Sequence, residues 1–228
     1  MLKHHYSIFC RLALGLNLVI LASSCTVLAN TGSGISIPHP NKDIPAFSTR
    51  GKQVAVFAGG CFWGMEAVFE HLKGVDNVVS GFSGGTAQTA SYEIVSSGET
   101  AHAESVKITY DPQKISYGQL LEIYFSVAHD PTQLNRQGPD SGRQYRSAIF
   151  FADDQQKQVA RVYIQQLNES KVFKKPIVTG LEPLKAFYPA EDYHQNFLKN
   201  HPDYPYIVIN DLPKLEGLKK QFPSLYTP

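Results

Sequence analysis

From residue 53 onward, short apolar runs alternate with stretches of helical period. Val54-Ala-Val-Phe-Ala58 is an unbroken apolar run of strand length, closed by Gly59-Gly60. Phe62 to Leu72 is amphipathic and predicts a helix, and Gly74 to Phe82 predicts a second strand. Tyr92 to Ser97 reads as a short helix. Ala103 to Tyr110 alternates, with Val106, Ile108 and Tyr110 on one face and Ser105, Lys107 and Thr109 on the other. That predicts a half-buried strand, in which Glu104 reads as one of the polar positions. Asp111-Pro112 ends it, and Ser116 is placed to N-cap a helix from Tyr117 to about Ala128. Asp130 to Gly142 reads as a polar loop and Gln144 to Phe151 as a strand. Asp153 and Asp154 open a helix to about Asn168, with charges that suit its N-terminus. A strand at Ile177–Thr179 and a helix at Glu191–Leu198 complete the series. Mixed hairpin and crossover connections predict an α+β fold, a mixed β-sheet with packed helices in a two-layer sandwich.

The two ends read differently. Lys3, His4, His5 and Arg11 flank the start of an apolar run, Leu12 to Ala22, that is too short to span a membrane. Val27-Leu28-Ala29 then gives small residues at signal-peptidase spacing, so residues 1–29 read as a signal peptide for export to a periplasm or the exterior. Leu21-Ala-Ser-Ser-Cys25 offers an alternative, a loose lipoprotein box with an anchor on Cys25. Residues 30–51, rich in Gly, Ser and Pro, read as a flexible linker before a domain at 52–210. Residues 211–228 read as an irregular tail without cysteine. A net charge of +1 with no basic stripe argues against nucleic acid as a partner, and nothing demands an oligomer, so a monomer is expected.

Cysteine placement narrows the chemistry. Cys10 and Cys25 lie near the start, and Cys61 is the remaining one. A single thiol in the domain excludes an internal disulfide there and a cysteine-rich zinc site. Strand, glycine turn, cysteine, helix places the Cys61 sulfur at a helix N-terminus, where N–H groups and the dipole favour a thiolate. The alternative is a small buried hydrophobe. Phe62 and Trp63 would wall an apolar pocket beside the sulfur.

Gly60-Cys-Phe-Trp-Gly64 resembles the signature of the A-type peptide methionine sulfoxide reductases. Further blocks resemble that family in its order. They are Gly81-Phe-Ser-Gly-Gly85, Ser91-Tyr-Glu-Ile-Val-Ser-Ser-Gly98, His102-Ala-Glu104 and Tyr110-Asp-Pro112. His129-Asp-Pro131, Gln144-Tyr-Arg-Ser147 and Glu191-Asp-Tyr-His-Gln195 follow. The resemblance runs from about Gln53 to about Tyr206.

The resemblance implies thiol-dependent reduction of methionine-S-sulfoxide in oxidised proteins or peptides, and leaves the free amino acid open as a substrate. It makes Cys61 the nucleophile that ends as a sulfenic acid. Glu104 would be the proton donor, which requires a carboxyl kept protonated by burial. Tyr92 and Tyr145 would hydrogen-bond the sulfoxide oxygen, and Asp140 would support the thiol. Phe62, Trp63 and Phe82 would bind the substrate, Phe82 standing where the family commonly has Tyr. Ala101 replaces a frequent Gly. No cysteine follows Cys61, so a resolving cysteine is missing. That implies a one-cysteine enzyme regenerated by an external thiol, a thioredoxin-like protein or a small molecule, with no bound cofactor and no metal. Two competing readings are a Cys–His hydrolase using His102, His129 or His194, and a domain that binds oxidised segments without turnover.

Overall fold

In the computed structural model, which describes residues 35–46 and 50–228, the apolar run at Val54–Ala58 becomes the third strand of a six-stranded sheet. β1 (Gln53–Gly59) pairs antiparallel with β3 (Ala103–Tyr110) on one side and β6 (Ser147–Phe151) on the other. β2 (Val75–Ser83) pairs antiparallel with β3, and β8 (Phe187–Pro189) closes that edge. β7 (Gly180–Pro183) runs parallel to β6 and closes the other. One parallel pair among antiparallel ones makes the sheet mixed, as expected. The signal peptide and the lipoprotein box fall on residues 1–29, outside the described residues.

An unbroken apolar run suits β1 because both of its faces are covered. Phe57 joins the main core, while Val56 and Ala58 join a smaller cluster with Ala148 and Phe150. The main core is built by α1 (Phe62–Glu70), α3 (Tyr117–Ile123) and α4 (Asp154–Ser170) against the sheet. α3 passes into a π-helical turn at Tyr124–Ala128. Phe57, Phe69, Phe125 and Tyr163 are each at most 1% exposed. Burial on that scale contributes roughly 1.5–3 kcal/mol per large apolar side chain. Ser116 caps α3 as expected, in a reciprocal pair with Gln119.

Several segments differ from the sequence reading. Glu104 is 2% exposed and is not on a solvated face. It has the strand parity of Val106, Ile108 and Tyr110, so the pleat turns it into the core with them. The expected strand at Ile177–Thr179 forms later, as β7, because the Val178 N–H is held by the Pro131 carbonyl at 2.8 Å. The polar loop contains a hairpin, β4 (Arg136–Gln137) with β5 (Asp140–Ser141). The helix expected at Glu191–Leu198 is split by Asn196, whose φ of 53° is left-handed, leaving a 3-10 turn at Asp192–His194 and α5 (Phe197–Asn200).

The end segments are more ordered than their composition implies. The tail holds a π-helical turn at Ile207–Asp211 and then α6 (Leu212–Gln221), which buries Gly217 and Leu218. Pro213 sits in its first turn, where the missing N–H costs nothing. Residues 35–46 are a packed strap and not a free linker. The Ile35 N–H bonds Ser126 at 2.9 Å, and Tyr163 donates to the Pro38 carbonyl at 2.7 Å. Asp43 accepts from the Gly118 N–H at 2.8 Å and from the Ser116 hydroxyl.

Asp43→Ala removes this second cap on α3. The expected cost is about 1–2 kcal/mol, read as a lower urea midpoint at unchanged m-value. The rate at which iodoacetamide alkylates Cys61 in the folded protein should stay the same.

Candidate active site

Cys61 occupies the N-cap position of α1 and is 9% exposed. The turn that delivers it needs glycine: Gly60 has φ +96°, and a Cβ there would collide with Gln137. Three residues into the helix turn, a Cβ on Gly64 would collide with the Asp211 carboxylate and the Lys214 ammonium. The outer glycines of the Gly60–Gly64 block therefore admit the chain on either side of the sulfur.

The expectation that the helix end makes this thiol more acidic fails. Burial pushes the Cys61 pKa well up, and the charges of Glu104 and Asp211 push it further. The Trp63 N–H and the Lys214 ammonium pull it down without cancelling those effects. Desolvation of the thiolate is the largest of these effects.

Glu104, from β3, points at the same turn. Its Oε2 accepts the Phe62 N–H at 3.0 Å. Burial lifts its pKa from 4.5 to about 8, with the Phe62 bond opposing the rise and Asp140 adding to it. The carboxyl is therefore largely protonated at neutral pH, and its charge weighs correspondingly less on Cys61 there.

Tyr92 starts α2 (Tyr92–Ser96), with its N–H held by the Glu191 carboxylate at 2.9 Å. Burial raises the Tyr92 pKa to about 12, and Glu104 and Cys61 raise it as well. Tyr145 ends a 3-10 turn before β6 and is raised by burial and by Glu104, Asp140, Tyr92 and Cys61. Both hydroxyls thus stay protonated within the field of Cys61 and Glu104. Asp140, on β5, accepts from the Tyr206 hydroxyl, and burial raises its pKa. Cys61, Glu104, Tyr92, Tyr145 and Asp140 come together from five parts of the chain.

The expected apolar wall is arranged differently from its sequence. Phe62 is 1% and Phe82 0% exposed, with ring centroids 5.8 Å apart. Phe82 stands opposite Glu104 in the ladder and backs Phe62 from the core. Trp63 is half-buried and stacks on Phe197 at 3.7 Å. Its indole N–H donates to His194 Nδ1 at 3.1 Å, which fixes His194 as the neutral tautomer with its proton on Nε2.

Sequence reading missed several supports. Asp211 comes from the segment taken as irregular, and Tyr206, just before it, holds Asp140. Glu66 of α1 accepts the Asn196 N–H at 2.9 Å, which sets the turn that carries Phe197 to Trp63. In the Glu191–Gln195 block, Glu191 holds Tyr92, His194 holds Trp63, and Gln195 bonds both backbone groups of Ser80 at 3.0 Å. The Glu191–Gln195 family block was the available signal for Glu191, His194 and Gln195, and no quoted block covers Glu66 or Asp211.

A Cys–His pair does not form. His102 accepts the Gly85 N–H and donates to the Thr86 carbonyl. His129 is engaged by the Tyr124 carbonyl and the Ser147 hydroxyl, and burial lowers its pKa to about 4. Among the described residues no cluster of His, Cys, Asp or Glu fits a metal ion.

Comparison with known proteins agrees with this arrangement. The family described as "Peptide methionine sulfoxide reductase" matches residues 53–225. A curated relative from Mesorhizobium japonicum, "Peptide methionine sulfoxide reductase MsrA 2", is 62% identical over 177 residues, 78% of this chain and 91% of its own. A relative of the same description from Synechocystis sp. is 57% identical over 188 residues, 82% of this chain and 88% of its own. Among solved structures, reduced Mxr1 from Saccharomyces cerevisiae is similar with a TM-score of 0.62 and 32% identity, covering 72% of this chain and 91% of that one. A thiol at a glycine turn, a buried carboxyl beside it and a family match across nearly the whole folded domain lead to one conclusion: this chain belongs to the peptide methionine sulfoxide reductases of the A type.

Proposed function

We propose that this chain reduces methionine-S-sulfoxide by a one-cysteine route, with Cys61 as nucleophile and Glu104 as acid. The observation that carries the reading is the buried Glu104 carboxyl, lifted to about 8 and held against the first N–H after Cys61. A sulfoxide oxygen becomes a leaving group only when protonated, so the acid must carry its proton at the working pH. Tyr92 and Tyr145 supply two protonated hydroxyls to orient that oxygen. Trp63 presents an aromatic face to the S-methyl group, with Phe62 and Phe82 as its apolar backing.

The steps balance as follows. Cys61 sulfur bonds to the sulfoxide sulfur as the oxygen takes a proton from Glu104 and the thiol proton passes to the vacated Glu104 carboxylate; the new sulfur–sulfur bond then breaks. Oxygen passes to the cysteine, giving Cys61–SOH and methionine. No later cysteine exists in the chain to attack the sulfenic acid. An external thiol does so, releasing water and leaving a mixed disulfide at Cys61. A second thiol restores Cys61–SH and leaves as the disulfide of the reductant. A thioredoxin-like protein or a small thiol can fill that role. The oxidised residue sits in proteins or peptides, and the working unit is the monomer. Export rests on residues 1–29 alone.

In the absence of a thiol, excess methionine-S-sulfoxide peptide should yield one methionine per chain. Cys61 should then gain one oxygen atom by mass and be trapped by dimedone. Dithiothreitol should restore continuous turnover, and Cys61→Ser should abolish both. A first turnover that ends in an internal disulfide would contradict the one-cysteine route.

Rate and stability should respond to pH through Glu104. The acid form is required, so kcat/KM should fall as pH rises through about 8. Glu104→Gln should lower kcat by about 10²–10⁴-fold and lose that alkaline limb. Folding raises this pKa, so the native state holds the proton between 4.5 and about 8. Stability from this group is full below 4.5 and declines as pH rises through 8. Glu104→Gln should therefore melt above the native protein in mildly alkaline buffer and match it at acid pH, in calorimetry at both.

A further inference from the structure

Lys214 and Asp211 take no part in the steps above, yet they stand at the turn that carries the sulfur. A Cβ built on Gly64 would lie 2.7 Å from the Lys214 Nζ and closer still to the Asp211 carboxylate. Cys61 is the N-cap of α1, and Gly64 is the third residue after it. An N-cap side chain turns toward the N–H groups two and three residues on. The thiol and the ammonium therefore converge on one helical turn.

That placement does not serve the helix. A cation is unfavourable at a helix N-terminus, where the end of the dipole is positive. Lys214 is nonetheless drawn in, with its side chain only 16% exposed. Its counter-ion is the fully buried Asp211, whose Oδ1 accepts from the Nζ at 3.0 Å. Asp211 is the N-cap residue of α6 and Lys214 the third residue after it, so one turn fixes the pair. A buried pair of this kind stabilises little by itself, because desolvation offsets most of the attraction.

The groups around the sulfur leave it short of positive charge. Glu104 and Asp211 both oppose a thiolate. Tyr92, Tyr145 and Tyr206 lie within its field as neutral hydroxyls, and Asp140 accepts from Tyr206. His129 is buried and neutral. Lys214 is the one cation among the strongest influences on Cys61, and its charge is felt at Asp140 and His129 as well.

We propose that Lys214 is a positioning residue for the nucleophile: held by Asp211 against Gly64, its ammonium favours negative charge on the Cys61 sulfur. What that charge accomplishes rests on the reductase reading. A thiolate forms more readily for attack on the sulfoxide, and it leaves more readily when a second thiol splits the mixed disulfide. No bond to Lys214 is made or broken, and its proton stays in place.

Alkylation reads this field without turnover. Iodoacetate is an anion and iodoacetamide is neutral, and the same thiolate attacks both. The ratio of their rates at Cys61, followed by mass on the peptide that contains it, cancels thiolate fraction and access. The native chain is compared with Lys214→Met, Asp211→Asn and the double variant. Lys214→Met should lower the ratio about threefold, as for one charge about 6 Å away in a water-like medium. Asp211→Asn should raise it, and the double variant should fall below Asp211→Asn by the same factor. The double variant buries no unpaired charge, so this comparison stands even where Lys214→Met alone fails to fold. Loss of Lys214 should also slow methionine formation from the peptide sulfoxide severalfold in a single turnover. A ratio that Lys214→Met leaves unchanged in the Asp211→Asn background would overturn the proposal, because Lys214 would then only mask Asp211. Native single-turnover rates in both Lys214 variants would overturn it too. A native chain that reduces no sulfoxide while the ratio shifts as expected would remove the reductase reading and leave the effect of Lys214 on the sulfur standing.

Discussion

The hydrogen bond from the Phe62 N–H to the Glu104 carboxylate joins β3 to the first turn of α1. It sets a buried carboxyl beside the sulfur. A helix N-terminus leaves N–H groups without partners, and one of them is spent here on the acid and not on the thiol. The bond pulls the Glu104 pKa down, yet burial wins and the group holds its proton at neutral pH. The surrounding residues work within that balance. With Glu104 neutral, less negative charge opposes ionisation of Cys61.

Precision at such a site comes from supports that never meet the substrate. Glu191 fixes the backbone of Tyr92, His194 fixes the Trp63 indole, and Tyr206 fixes Asp140. Each support lies C-terminal to residue 190, while three of the groups they hold lie between residues 63 and 140. The late segment thus folds back over the early one, where Asp211 of the π-helical turn and Lys214 of α6 lie against Gly64. The one thiol of the domain is enclosed by elements that appear irregular in isolation. The same enclosure raises the Cys61 pKa.

The sequence was read well where neighbours decide the structure. Strand Ala103–Tyr110 and the Ser116 cap were placed as observed, because alternation and capping are local. It was read badly where distant partners decide. Residues 211–228 looked irregular, but Pro213 sits in the one helical turn that accepts it. The strap at 35–46 looked free, but its backbone groups find Ser126 on the π-helical extension of α3, and Tyr163 and Gln166 on α4. Glu104 was assigned to the wrong face of β3, although its parity with Val106 was already legible.

The sequence by itself determined the position of the domain's one thiol, the order of the family blocks and the absence of a cysteine after it. These are properties of residue identity and spacing. Only the tertiary structure decided which groups hold protons. Desolvation raises the Glu104 carboxyl to about 8, and desolvation is likewise the largest cause that raises the thiol at the helix end. Desolvation sums over everything packed around a group, and that packing is drawn from strands and helices far apart in the chain.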